Sequence, residues 1–174
     1  MVIKRLWNFF TQEELENINE IERFANYQYF EPGALDGSIS NHQSANIPLE
    51  SKEASRLNFI FSKLEGSWRP TQMYFNRCNF GNEMQLHVDQ NSFEGNDICR
   101  TLIVFIHPYW DANWHGENVI YNFEESQDPI STASPIPNSA IFSDSKLYHG
   151  MVPISKTCPM NRTIFVAQTK KDYE

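Results

Sequence analysis

Cysteine is scarce in this 174-residue chain, and its three residues, Cys78, Cys99 and Cys158, include no CxxC pair. That spacing offers neither a zinc knuckle nor an even disulfide framework, and it fits reduced thiols in a cytosolic protein. Cations are also few. Lys and Arg number 14 against 22 Asp and Glu, for a net charge of −8, and no basic run is longer than two residues. A protein whose main task is to grip phosphate backbones needs the opposite balance, so nucleic acid is not the expected partner. No apolar stretch approaches membrane-spanning length, and Met1 to Phe10 lacks the long apolar core of a signal peptide. The expectation is a soluble cytoplasmic protein without a membrane partner. Internal repeats and low-complexity tracts are absent, and nothing in the pattern sets an oligomeric state.

What is present suits a packed globule. Hydrophobic residues make up 40% of the chain and aromatics 14%, enough to bury a core without staples. The simplest organisation is one domain over 1–174, with helical support and loop in 1–68 and a β-rich core in 70–170. Thr11-Gln-Glu-Glu14 has the spacing of a capping box, and Leu15, Ile18, Ile21 and Phe24 recur near helical period behind it. A first helix is expected over Thr11 to Ala25. Glu31 to Pro48 reads as loop, and a second helix is expected over Ser51 to Glu65, with Leu57, Ile60, Phe61 and Leu64 on one side and Gly66 as its stop. After Pro70 come short β-rich runs at 71–79, 83–89, 101–107, 117–123, 139–143, 147–152 and 161–169, with Gln127 to Pro137 as a turn-rich connection. Helices first and strands afterwards indicate an α+β fold, a double-sheet jelly roll of the cupin-like, double-stranded β-helix kind with two supporting N-terminal helices.

The chemistry starts at His87-Val88-Asp89. Successive side chains of a strand point to opposite faces, so His87 and Asp89 share a face and can grip one ion. A third ligand would complete one face of an octahedron and leave three positions open, as in the two-His-one-carboxylate sites of non-haem Fe(II) oxygenases. His149, in Tyr148-His149-Gly150, is the candidate for that ligand. Arg162, thirteen residues further on, is a fixed cation suited to an acidic cosubstrate.

Four segments in order resemble the Fe(II)/2-oxoglutarate-dependent dioxygenases, in their prolyl 4-hydroxylase-like branch. Arg77-Cys78-Asn79-Phe80-Gly81 followed by His87-Val88-Asp89 is similar to the family's strand, glycine turn and metal-binding strand. Arg100 to Trp110 resembles its long central strand and aromatic turn, and Trp114-His115-Gly116-Glu117 its Trp-Gly-Gly-Glu segment. Ser139 to Asp144, then Tyr148-His149-Gly150 and Arg162, resembles the distal ligand and 2-oxoglutarate clamp.

The resemblance implies Fe(II), 2-oxoglutarate and O2 as the reactants, with His87, Asp89 and His149 on iron and Arg162 on the far carboxylate of the cosubstrate. It implies hydroxylation of an unactivated C–H bond, with prolyl-type hydroxylation favoured by analogy alone and a small-molecule or peptidyl substrate. Retention of Asp89 separates the chain from related halogenases, which omit the carboxylate ligand. One departure stands out: Cys78 occupies the place where many relatives carry a tyrosine that helps bind 2-oxoglutarate. Tyr74 and Asn76 share a strand face with it, and they and Thr101 are the candidates for the missing polar contact. His42 and His107 have no partner at ligand spacing, His115 replaces a glycine usual in the family's Trp-Gly-Gly-Glu segment and reads as a solvated loop residue near the pocket rim, and Trp110 and Trp114 read as packing aromatics. The polar stretch Gln90 to Cys99 is expected to form part of a substrate lid.

Two other classes stand beside this one. A jelly-roll binding module could keep the fold without turnover. A cupin-type zinc hydrolase could use the same ligands, which do not select iron by affinity alone, but it would not need Arg162 placed for a dicarboxylate.

Overall fold

The computed structural model describes residues 1–29, 42–89, 98–124 and 126–172. The expected first helix forms as α1 (Gln12–Arg23), and Thr11 and Glu14 make the reciprocal capping bonds that the sequence spacing requires. The expected second helix is instead two short pieces, α2 (Lys52–Leu57) and α3 (Phe59–Ser62), joined at Asn58. The break lets Leu57, Ile60, Phe61 and Leu64 all reach one core. Gly66 serves in the turn after α3, where its φ of +96° suits glycine.

Each expected β-rich run contains a strand: β4 (Trp68–Cys78), β5 (Met84–His87), β6 (Cys99–Phe105), β7 (Asn118–Tyr121), β9 (Ala140–Asp144), β10 (Tyr148–Met151) and β11 (Arg162–Lys171). Four more strands were not legible. β1 (Ile3–Leu6) and β2 (Gln28–Tyr29) precede and follow α1, β3 (Gln43–Asn46) lies in the stretch read as loop, and β8 (Ser131–Ala133) lies in the turn-rich connection. All four are short and lack a clear apolar alternation, so only the ladder bonds to their neighbours define them.

Two antiparallel sheets result. The larger has the order β1-β9-β6-β11-β4-β3-β2 and the smaller β5-β10-β7-β8. Together they form the jelly roll, with the helices packed on the outer face of the larger sheet. Alternation divides each long strand between two cores. Met73, Phe75, Leu102, Val104, Phe165 and Ala167 face Ile18, Leu57 and Ile60 of the helices. Ile103, Phe105, Ile164 and Val166 face inward and meet Ile120, Ala133 and Leu147 of the smaller sheet and its flanks. Pro70 is tolerated in β4 because it lies beside the register shift at Gln168/Thr169. Among the described residues no helix is long and apolar enough to cross a membrane.

Candidate metal centre

β5 and β10 bring the two histidines together. His87 and His149 are direct antiparallel partners, with ring centroids 4.4 Å apart. The close approach depends on Gly150, where an added Cβ would lie 2.6 Å from the Met84 carbonyl oxygen. Each imidazole is held by the same local device: Nδ1 lies 2.9 Å from the Gln85 carbonyl in His87 and 3.0 Å from the Leu147 carbonyl in His149. A carbonyl only accepts, so each ring carries a proton on Nδ1 and leaves Nε2 as the nitrogen for a metal, as a ligating histidine requires.

Asp89 follows just past the end of β5 and is 5% exposed. Its Oδ2 lies 4.0 Å from Nε2 of His149, and one ligand atom from each of His87, Asp89 and His149 falls within 4.8 Å of the others. Both carboxylate oxygens are already engaged by protein. Thr101 donates its hydroxyl to Oδ2, and the Gln168 amide donates to Oδ1 at 2.9 Å. Thr101 in turn sits 3.0 Å from the Ser145 hydroxyl. Two imidazoles and a buried carboxylate are a donor set that suits a first-row divalent metal. Thr101, expected toward the cosubstrate, has its hydroxyl on the Asp89 carboxylate.

Arg162 opens β11 on the same inner face and is 1% exposed. It stands opposite Cys78 across the β11–β4 ladder, lies over the Phe105 ring at 4.9 Å and donates from one terminal nitrogen to Oδ1 of Asn118. Its Nε is buried with no hydrogen-bond partner, and among the described residues no carboxylate comes within ion-pair distance. Burial pushes its pKa down to about 10, with Cys78 and Glu117 acting the other way. Burial raises the Cys78 thiol, against the pull of Arg162, so a thiol and not a thiolate faces the guanidinium.

Asn76 lies two residues before Cys78 on the same face, and its side-chain oxygen is likewise buried and unpaired among the described residues. Tyr74, two further back, contacts the Gln168 amide. Burial, and then the charge of Asp89, raise its hydroxyl far above the usual range, so it stays protonated.

Arg162 is backed by apolar side chains. Cys78, Met151, Ile154 and Cys158 form a cluster backed by Trp110 and Trp114, and Gly116 fits against it with a Cβ position 3.3 Å from the Arg162 stem. The two tryptophans are packing residues behind the arginine. His107 is buried beside them with ring nitrogens 3.1 Å and 2.8 Å from the carbonyls of Thr163 and Pro135; burial dominates and pushes its pKa down to about 4. His115 is exposed at φ 56°, 4.0 Å from Glu117. His42, read as a loop residue, is buried, and its pKa is pushed to about 4 by burial and by the proximity of His87. Residues 90–97 of the expected lid lie outside the described residues.

Sequence reasoning passed over Asn118, Gln168 and Ser145. For Gln168 a signal existed, since counting by twos from Arg162 places it on the inner face. Asn118 and Ser145 depend on where the smaller sheet and the β9–β10 turn close on the larger one, which no local pattern encodes.

No family model and no curated protein matches the chain, whereas solved structures do. A prolyl-4-hydroxylase from Pseudomonas putida aligns over 98% of this chain and 92% of its own, with a TM-score of 0.66 at 12% identity. A prolyl hydroxylase from Trichoplax adhaerens, solved with a peptide fragment of the hypoxia inducible factor oxygen degradation domain, aligns over 97% and 83%, with a TM-score of 0.69 at 13% identity. HygX from Streptomyces hygroscopicus, solved with nickel and 2-oxoglutarate, aligns over 98% and 83%, with a TM-score of 0.67 at 12% identity. At such identities the likeness is one of fold.

Proposed function

We propose that this chain is an Fe(II)- and 2-oxoglutarate-dependent dioxygenase that hydroxylates an unactivated C–H bond, with His87, Asp89 and His149 as the iron ligands. The observation that carries this is Arg162, a buried cation with an unpaired Nε, on the same inner face of β11 as Gln168, whose amide donates to Asp89 of the histidine and carboxylate cluster. A buried charge is costly unless paired, so a cation with no carboxylate in ion-pair reach among the described residues asks for an anionic ligand. A metal site alone has no use for it. A zinc hydrolase leaves that charge without a purpose, and a binding module that takes an anion would use Arg162 but not the metal ligands.

Bound iron(II) supplies the chemistry that couples decarboxylation of 2-oxoglutarate to succinate with transfer of one oxygen atom of O2 into the substrate. The protein's part is to bind and orient. Nδ1–H bonds to Gln85 and Leu147 hold both imidazoles with Nε2 inward before any metal arrives. Arg162 offers two or more donors in a plane to the far carboxylate of the cosubstrate, and its bond to Asn118 fixes the plane. Asn76, whose amide oxygen has no described partner, is placed for a second polar contact from the β4 side. Cys78 and Phe105, neither of them a hydroxyl donor, line the arginine, so the anion is held chiefly by guanidinium donors. The Cys78–Ile154 cluster keeps water away from that pair, which strengthens it.

Peptidyl or small-molecule substrates both fit this scheme, and prolyl-type hydroxylation is favoured only by analogy with the prolyl hydroxylases of the same fold. The direct test is succinate release from 2-oxoglutarate by the Fe(II)-loaded protein, screened over peptides, amino acids and cell extract, with mass spectrometry for a gain of one oxygen. His87→Ala and Asp89→Ala should each abolish iron-dependent succinate formation. Coupled turnover at the wild-type rate in both variants would sink the assignment.

A further inference from the structure

The two oxygens of Asp89 have separate donors on two neighbouring strands. Thr101 of β6 and Gln168 of β11 face each other directly across the ladder. Thr101 donates to Oδ2, and Gln168 donates to Oδ1 at 2.9 Å. An ionised carboxylate only accepts, so it is the NH2 side of the Gln168 amide that meets it. Both donors are themselves held. The Ser145 hydroxyl backs Thr101 at 3.0 Å, and the Tyr74 hydroxyl lies in hydrogen-bond contact with the Gln168 amide. All four side chains sit inside the barrel, and Thr101, Ser145 and Gln168 are buried.

The two oxygens are not equivalent. Oδ2 faces the histidines, 4.0 Å from Nε2 of His149, whereas Oδ1 is tied to β11. A carboxylate can bind a cation through one oxygen or through both. With two imidazoles and one carboxylate oxygen, three of six octahedral positions stay open, enough for a chelating cosubstrate and one further ligand. If Oδ1 also bound, it would take one of the three.

We propose that Gln168, with Thr101, is a positioning residue that holds Asp89 as a one-oxygen ligand, Oδ2 toward the metal and Oδ1 away, and so keeps a third position open. This rests on the metal-site assignment above and adds to it a role for two residues that touch neither metal nor cosubstrate. Gln168 does the selective part, because it restrains the oxygen that must not coordinate. Thr101 orients the oxygen that must.

The test uses Co(II) as a spectroscopic probe on the intact chain. Gln168→Leu removes the donor at nearly constant volume. It should weaken Co(II) binding about 10-fold or more, as loss of a group behind a ligand commonly does. It should also change the intensity and position of the Co(II) d–d bands, which report coordination number. Thr101→Val should lower affinity to a similar extent, and Thr101→Ser, which keeps the hydroxyl, should restore it. The Thr101 pair carries the test if Gln168→Leu does not fold. A merely structural role would lower the melting temperature of the metal-free protein and leave affinity and d–d bands alone. A folded Gln168→Leu protein with wild-type Co(II) affinity and spectrum, or failure of Thr101→Ser to restore binding lost in Thr101→Val, would overturn the proposal. Failure of the wild-type chain itself to bind Co(II) would instead remove the metal site on which it rests.

Discussion

Replacing Arg162 by methionine should separate two quantities that a structural arginine would move together. In the folded chain the guanidinium is buried against Phe105, Cys78 and Asn118, and burial pushes its pKa down to about 10. At about 1.4 kcal/mol per tenfold change in acidity, that corresponds to roughly 3 kcal/mol by which the folded protein disfavours the charge at neutral pH. Methionine is similar in length, unbranched and free of that cost. Against the gain stand the lost hydrogen bond to Asn118 and the lost stacking on Phe105, together about 2–3 kcal/mol. The two sides nearly cancel, so the stability of the cosubstrate-free protein should stay within about 1 kcal/mol, a melting-temperature change of roughly 2–4 °C. Cosubstrate binding should behave otherwise. Removing one member of a buried, hydrogen-bonded charge pair costs about 2–5 kcal/mol, so 2-oxoglutarate should bind some 30-fold to several-thousand-fold more weakly.

Calorimetric titration of 2-oxoglutarate into Mn(II)-loaded protein measures the affinity, and thermal melts without ligand measure the stability. Arg162→Lys keeps the charge but loses the planar pair of donors, and should fall between. An Arg162→Met protein that loses 3 kcal/mol or more of its ligand-free stability yet binds 2-oxoglutarate normally would refute the reasoning, and with it the clamp.

Gly150→Ala puts a methyl 2.6 Å from the Met84 carbonyl, on backbone that cannot step aside. It should cost about 1–3 kcal/mol in denaturant melts and weaken Mn(II) binding at least several-fold, because β10 and β5 must part where His149 meets His87. Gly81→Ala is the control. Its Cβ would meet nothing within 4 Å, though φ is +75°, so about 1 kcal/mol of strain without loss of metal affinity is expected. For His107 the sign follows from a folded pKa of about 4, below the unfolded value near 6.5. The unfolded chain takes up the proton first, so stability should be intact above pH 6.5 and fall by up to about 3 kcal/mol as pH drops toward 4. Melts of the wild type and His107→Gln across this range check it: the variant should show the shallower loss, and equal slopes would place the acid sensitivity elsewhere.

Much of the site was readable because strands impose a period of two. His87 and Asp89 share a face by that rule alone, and Tyr74, Asn76 and Cys78 line up on β4 for the same reason. The capping box likewise announced α1, since its signal lies within four consecutive residues. The unread elements were those without a local signal. Gln43-Ser-Ala-Asn46 and Ser131-Thr-Ala133 carry no apolar alternation and become strands only because β4 and β7 offer them partners. Asn58 splits one helical pattern into two pieces whose apolar residues reach the same core.

By itself, then, the sequence marked the candidate side chains of the proposed site and the face of each strand on which they stand, since both follow from residue type and short-range periodicity. The pairing of His87 with His149 was a different matter, decided by register across two strands some sixty residues apart and by a glycine that lets them close. Tertiary structure alone also gave Asp89 its two donors and left Arg162 buried with no ion-pair partner among the described residues, because burial and partnership are properties of the space between sheets and not of any one segment.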